Sequence, residues 1–349
     1  MNDHDGPGLN AGAGPSGSVG GSGGRNEVGP ARPSVGTWVG IAANRGAGAG
    51  RGRARVARLV RELKRRGVRS RIAWTPEVRA RLVAEAADDP RARCLVAVGG
   101  DGTVAALVNE GPATPIAVLP TGTENLFAQH FRYSRCPSRL AATIEHGRTT
   151  RIDLGQAPGR RFTLMAGFGF DADVVTRHHI ARVRHSGIAR PTNRAAYVEP
   201  VLRSSFGYRF PPMTVIAAGE SASAATATAT EETLVGSTVF VFNLPRYALG
   251  LPFAPSARPD DGLLDLVVFD KPGAFHALRY LWLVVRGLHL RRPGVEHRRV
   301  RRVTIRAPEQ VPVQLDGDPG GFLDPDSGGG WTVDVLPGAL DMMVPPSYK

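Results

Sequence analysis

The chain reads as an α/β N-terminal domain with a parallel sheet over residues 37–155, followed by a mainly antiparallel β-sandwich over 156–349 whose last residues have room to return to the first domain. Three observations predict this. Up to about residue 155, strand-like apolar runs alternate with segments of helical period, the pattern of a parallel sheet covered on both faces. After "RIDLG" the texture changes to short strands separated by Gly/Pro turns, which suits a sandwich or barrel. With 349 residues and 42 % hydrophobic content, the chain can supply a core for two such units.

Taken in order, residues 1–36 are Gly, Ser, Pro and Ala with almost no large apolar side chain, and a disordered tail is expected there. "TWVGIAAN" (37–44) predicts a strand that ends in the turn "NRGAGAGRG". Val56, Leu59, Val60 and Leu63 then recur at helical spacing, with Gly67 placed as a C-cap. A strand at 70–74, a helix at 76–87, the strand 94–98, a helix from Gly102, the strand "PIAVLP" and a helix from Glu124 complete the alternation. In the second half, "RFTLMAGFG", "PPMTVIAAG", "STVFVFNLP", "GLLDLVVFD", "RRVTIRAP", "VPVQLDG" and "GGWTVDVLPG" read as strands. Two interruptions look helical, 172–197 and 274–290, and "GESASAATATATEETLVGS" (219–237) reads as a low-complexity loop.

The formal charge of +13, almost all from arginine, suits an anionic partner: phosphates, nucleic acid or an acidic membrane surface. Cys94 and Cys136 are too few for a disulfide framework and lack zinc-ligand spacing, and Cys94 reads as a core residue. No run of roughly 18 uncharged apolar residues predicts a membrane span. No secretory signal is seen, so a cytoplasmic, peripherally membrane-associated location is expected.

Three glycine-rich turns fall at the carboxyl ends of predicted strands: Asn44 to Gly50, Gly99 to Thr103 and Thr121 to Thr123. That edge of an open parallel sheet binds ligands, and successive backbone N–H groups at a helix N-terminus cradle phosphate oxygens. The turns lack both the Walker Gly-Lys-Ser/Thr and the GxGxxG spacing. Asp101 is out of place beside a bare phosphate. It fits a site where Mg²⁺ accompanies the nucleotide, or where a hydroxyl is polarised, or a simple N-cap.

"GGDGT" followed by "PTGTENLFAQ" resembles the diacylglycerol kinase catalytic-domain family of soluble bacterial lipid kinases, related to sphingosine kinases and more distantly to NAD kinases and phosphofructokinases. "MAGFGFDADV", "APSARPDDGLLDLVVF" and "VQLDGDPGG" are similar to its second-domain motifs, so the likeness runs from about Trp38 to Val344. The resemblance implies an ATP-dependent lipid kinase acting on a lipid hydroxyl at a membrane surface, with Mg²⁺ as cofactor and a homodimer allowed. It implies an ATP site of Asn44, Arg45, Gly46, Ala47, Gly48, Thr75, Gly99, Gly100, Asp101, Gly102, Thr103, Val104, Ala105, Ala106, Thr121, Gly122 and Thr123. A structural Mg²⁺ would sit at Arg258, Asp261 and Leu263, held partly by main-chain oxygens, Asp173 would touch the lipid head, and Asp318 would be the general base, with Asp101 able to share that role. Asp318 departs from the family's glutamate by one methylene. Arg45 and Ala47 also depart, standing where many members carry proline and serine.

Two other readings compete. An NAD kinase-like enzyme would use an Asn-Glu pair, which Asn109 and Glu110 supply, and a non-catalytic nucleotide- or lipid-binding protein would account for the shortened acid. A nucleic-acid binder is disfavoured, because no aromatic stacking platform or known motif accompanies the charge. "AFHALRYLWLVVRGLHLRR" with "HRRVRR" reads first as a sheet-packed helix and a strand with solvated arginines. The alternative is an amphipathic helix on an anionic bilayer, with Arg298, Arg299, Arg301 and Arg302 as its basic patch.

Overall fold

A computed structural model describes residues 37–44, 51–184, 207–219, 231–326 and 328–348. In the N-terminal part, β1 (Trp38–Ala43), β2 (Arg69–Ala73), β3 (Ala92–Gly99) and β4 (Ile116–Pro120) pair in parallel in the order β2-β1-β3-β4. The helices α1 (Arg51–Arg65), α2 (Pro76–Asp88), α3 (Asp101–Asn109), α4 (Leu126–His130) and α5 (Pro137–His146) cover it. Cys94 to Val98 are fully buried in the middle of the sheet. At about 1.5–3 kcal/mol for each large apolar side chain removed from water, this strand is the fixed platform on which the turn at Gly99 and Gly100 is built.

The predicted α1 stripe holds: Val56, Leu59 and Leu63 are buried, Val60 packs against the same core, and Gly67 ends the helix at φ 72°, where a side chain would be strained. The helix expected from Glu124 is instead two. Asn125 stands at φ 56° before α4, Arg132 at φ 58° ends it, and Pro137 opens α5 at a position where its missing N–H costs nothing.

The C-terminal part is a β-sandwich-like unit of mostly antiparallel strands: β5 (Thr149–Ala157), β6 (Arg160–Phe162), β7 (Met165–Gly169), β8 (Met213–Gly219), β9 (Glu231–Gly236), β10 (Thr238–Phe242), β11 (Leu264–Phe269), β12 (Val295–Arg306), β13 (Val311–Leu315), β14 (Asp318–Leu323) and β15 (Trp331–Met343). Two helices interrupt them, α6 (Phe170–Arg184) and α7 (Ala274–Val285). A low-complexity reading of 219–237 misses β9, which pairs antiparallel with β8 through alternating residues such as Leu234 and Val215. β15 pairs with β12 and β5 and, through Met342, in parallel with Ile116 of β4. One hydrogen-bonded path therefore crosses both parts and fixes their strands relative to one another.

Candidate phosphoryl-transfer site

The first wall of the site is made by two turns that lie backbone on backbone. A Cβ on Gly122 would come within 2.7 Å of Gly100 Cα, and one on Gly99 would overlap the Thr103 side chain. Only glycine permits this approach. The Thr121 N–H donates to the Gly99 carbonyl at 2.8 Å, and Asn125 closes the second turn on itself. Its Oδ1 accepts from the Gly122 N–H at 2.8 Å, and its Nδ2 donates to the Gly122 carbonyl at 2.6 Å.

Asp101 has a definite task in this arrangement. Its two carboxylate oxygens accept from the backbone N–H groups of Leu126 (3.0 Å) and Phe127 (2.9 Å), capping the start of α4 from the first turn of α3. Burial pushes its carboxyl up to about 6, and the two N–H donors oppose that rise. Of the readings open in the sequence, the cap is the one the side-chain geometry carries. It caps the neighbouring α4 rather than its own helix, because the two turns are in contact.

Beside α3 lies a cavity of about 160 Å³ lined by Ala42, Ala43, Asn44, Ala73, Trp74, Thr75, Pro76, Arg79, Gly102, Thr103 and Ala106. The lining has no carboxylate; it offers the α3 N-terminus, suited to anionic oxygens, and Arg79, whose guanidinium is held by Glu110. Of the predicted nucleotide residues, Asn44, Thr75, Gly102, Thr103 and Ala106 meet here. Arg45, Gly46, Ala47 and Gly48 lie outside the described residues. Val104 and Ala105 are turned the other way: helical period places them in the core, fully buried, so their side chains cannot line the cleft. Thr75 also caps α2, accepting from the Val78 N–H at 3.4 Å. A larger cavity of about 460 Å³, among Arg132, Arg139, His146 and Pro345, shares no residue with these turns.

The second wall is the β13–β14 hairpin. Asp316 (φ 55°) and Gly317 (φ 83°) form its two-residue loop, the left-handed pair that Asp-Gly favours. The buried Asp316 carboxylate accepts from Thr163 N–H (2.8 Å), Thr163 Oγ1 (3.0 Å), Leu164 N–H (2.7 Å) and Met165 N–H (3.2 Å), which anchors the hairpin on the β6–β7 connection. Asp318 is thereby free of turn duties. Its side chain is 44 % exposed, pairs with Arg160 at 3.4 Å, and places Oδ2 3.7 Å from the point a Cβ on Gly102 would occupy.

A further set of residues supports that hairpin and was not evident in the sequence. Asp171 accepts from Gln314 Nε2 (3.0 Å) and Tyr247 Oη (3.2 Å), and Gln314 Oε1 in turn accepts the Gly317 N–H at 2.8 Å. Burial raises the Asp171 carboxyl to about 6, against these two donors. Asp173, the predicted lipid contact, pairs with Arg177 at 2.6 Å one helical turn along α6.

At the predicted metal turn the side chains are engaged within the fold. Asp261 Oδ2 accepts from Arg299 at 2.6 Å and its Oδ1 from the Leu263 N–H at 3.1 Å, while Arg258 pairs with Asp260 at 3.2 Å. The turn is closed by Asp153, which accepts from Gly262 N–H and Gly338 N–H, both at 2.7 Å. Arg299 is therefore the counterion of Asp261 in this structure. Among the described residues no cluster of three His, Cys, Asp or Glu is placed to hold a cation.

The other sequence candidates are occupied too. Asn109 clamps the backbone of Arg161 through both its amide nitrogen and its oxygen, and Glu110 pairs with Arg79 at 2.8 Å. The Asn-Glu pair needed for an NAD kinase reading is therefore spent on structure. In the basic strand β12, Arg298 pairs with Glu232 and Glu296, Arg299 with Asp261, and Arg302 with Asp334, so the patch is largely neutralised.

A parallel sheet bears glycine turns at its strand ends, and an acid of the sandwich stands beside one of them. Residues 39–157 match the diacylglycerol kinase catalytic domain, and residues 165–344 match the YegS C-terminal NAD kinase beta sandwich-like domain. The chain belongs to the diacylglycerol kinase catalytic-domain family, and at family level it is a kinase with ATP as phosphate donor. It is similar to a diacylglycerol kinase of Staphylococcus carnosus, 25 % identical over 66 % of this chain and 71 % of that one. A diacylglycerol kinase of Mycobacterium tuberculosis is 28 % identical over 64 % of this chain and 70 % of its own. The fold is shared with a diacylglycerol kinase structure from Bacillus anthracis, with a TM-score of 0.62 and 17 % identity over 90 % of this chain and 98 % of that one.

Proposed function

We propose that this chain transfers the γ-phosphoryl group of ATP to the hydroxyl of a lipid, with diacylglycerol as the preferred acceptor class, in the cleft between the α3 N-terminus and the β13–β14 hairpin. The observation that supports this best is the approach of Asp318 to Gly102, which puts a half-exposed carboxylate at the edge of an anion-suited cavity.

In this reading the acceptor hydroxyl gives its proton to an Asp318 carboxylate oxygen. Its oxygen bonds to the γ-phosphorus as the bond between that phosphorus and the ADP oxygen breaks. Asp101 takes no proton in this step, because both its oxygens hold the start of α4. The Asp318–Arg160 pair is exposed and worth only about 0–1 kcal/mol, so Arg160 orients the carboxylate and yields when substrate enters. Mg²⁺ carried in with ATP would add charge neutralisation at the phosphates. No protein step depends on the Asp-Asp-Gly turn.

Two features of the second half favour a neutral glycerolipid over a sphingoid base. Asp173, the acid that would meet an ammonium head, already has Arg177 as counterion, and Asp171 is occupied by Gln314 and Tyr247. Incubating the protein with ATP and total lipid extract, then identifying the new lipid by mass, tests the proposal. A phosphorylated diacylglycerol supports it. Phosphorylation of NAD, or turnover of no lipid at all, would overturn it.

A further inference from the structure

Among the described residues, helix α7 leaves a continuous apolar face without a partner. Tyr280, Leu283 and Val284 turn inward and are buried. On the opposite side Phe275 is 75 % exposed, Leu278 52 %, Leu281 41 %, Trp282 55 % and Val285 56 %. The spacing 275, 278, 282, 285 puts four of these on one stripe, with Leu281 beside it. They are five of the eleven large hydrophobic side chains exposed among the described residues, so the patch is concentrated on this helix rather than scattered.

The charge around the patch is mostly basic: Asp270 and Glu296 flank the segment, and Lys271 pairs with Asp270 at 3.6 Å. From Lys271 to Val295 the chain carries Lys271, Arg279, Arg286, Arg291 and Arg292 and not one Asp or Glu. All five of these cationic residues are exposed. The Arg286 guanidinium lies 5.6 Å over the Trp282 ring, so cationic and aromatic groups share one surface. This differs from β12, where the arginines face acids within the fold.

We propose that α7 is the interfacial anchor of the protein, laying Phe275, Leu278, Trp282 and Val285 into the headgroup region of an anionic bilayer while the flanking cations meet lipid phosphates. A second copy of the chain fits less well: two such faces brought together would set Arg279 and Arg286 of one against those of the other, and the helix itself carries no acid. An interfacial helix needs what is present here, an apolar face with aromatic residues and a basic border. Sequence period alone favoured a helix packed on the sheet, and α7 does pack there through its Tyr280 side, but its outer face is equally apolar.

This inference rests on the lipid-kinase reading only for its biological sense, and it is tested without ATP. Full-length protein is mixed with vesicles of phosphatidylcholine alone, or containing about one third phosphatidylglycerol, and the bound fraction is measured by flotation. Binding is expected to the anionic vesicles and to fall at least tenfold in a Phe275→Ser/Trp282→Ser variant. It is also expected to fall several-fold in Arg279→Gln/Arg286→Gln. Phosphorylation of dispersed dioctanoylglycerol should be unchanged in the first variant, which separates failure of the anchor from failure of the kinase reading. Equal binding by the wild type and the Phe275→Ser/Trp282→Ser variant would overturn the proposal. So would a wild-type dimer in size-exclusion chromatography that this variant converts to monomer.

Discussion

Asp318 Oδ2 stands 3.7 Å from the point where a Cβ on Gly102 would sit, so an acid of the β-sandwich and the first turn of a helix in the α/β layer share one edge of a cleft. Two residues two positions apart divide the labour at that hairpin. Asp316 spends all its acceptor capacity on the fold, and Asp318 keeps its own for solvent and substrate.

The contact between the glycine turns gives the first prediction. In Gly122→Ala the new Cβ meets the Gly100 backbone at 2.7 Å, and backbone cannot rotate away as a side chain can. Forcing the turns apart should cost about 1–3 kcal/mol and shift the α3 N-terminus. Thermal shift induced by ATP should be lost in this variant. An undiminished shift would mean that the turns do not shape the nucleotide site.

Asp101→Ala should behave as a folding mutation before it behaves as a catalytic one. It removes the acceptors of two α4 N–H groups, a loss of about 1–3 kcal/mol for partly buried donors left unpaired. Chemical denaturation should show that loss, with Asp101→Asn intermediate because it keeps one acceptor oxygen. A variant of full stability with no activity would return Asp101 to the chemistry.

Asp171, beside Asp101, which is raised to the same value, is one of the partly buried acids that set the pH dependence of stability. Its folded-state value of about 6 lies above the ordinary 3.8, so the folded chain holds this proton more tightly than the unfolded chain does. The corresponding stabilisation is complete below about 3.8 and is lost as pH rises through about 6. The side chain retains some exposure, which reduces the size of the effect. Asp171→Asn should flatten the stability profile between pH 4 and 6 by about one proton's worth, read from melting curves across that range. A slope identical to that of the wild type would contradict the assignment.

Arg299 supplies a test of the Asp-Asp-Gly turn. With the guanidinium in place, Mg²⁺ should leave the melting temperature of the nucleotide-free protein unchanged. In Arg299→Ala, Asp261 loses its counterion, and millimolar Mg²⁺ should recover part of the lost stability. Stabilisation of the wild type by Mg²⁺ alone would show that the turn binds metal beside the arginine.

The layers of the fold were legible because each rests on a local period: Val56, Leu59 and Leu63 face one way along α1, and β3 is apolar from Cys94 to Val98. The glycine turns of the candidate site were legible too, since they fall at strand ends, and the structure brings those at Gly100 and Gly122 into contact. What the sequence withheld was long-range pairing. Nothing near Asp261 in sequence announces Arg299, and nothing near Asp101 announces the start of α4. The roles of Gln314 and Asp171 depend on a hairpin and a helix brought together across 143 positions. The outer α7 face was open in the sequence between two readings, because a helix with apolar residues on both sides, broken by Arg279, suits a sheet and a bilayer alike.

The measurement that bears most directly on the whole account is the rate of γ-phosphoryl transfer to diacylglycerol by Asp318→Asn, taken with its ATP-induced thermal shift. The account predicts a rate at least about a hundredfold below wild type, the scale of a lost general base, with the thermal shift preserved. Wild-type transfer by Asp318→Asn would contradict it.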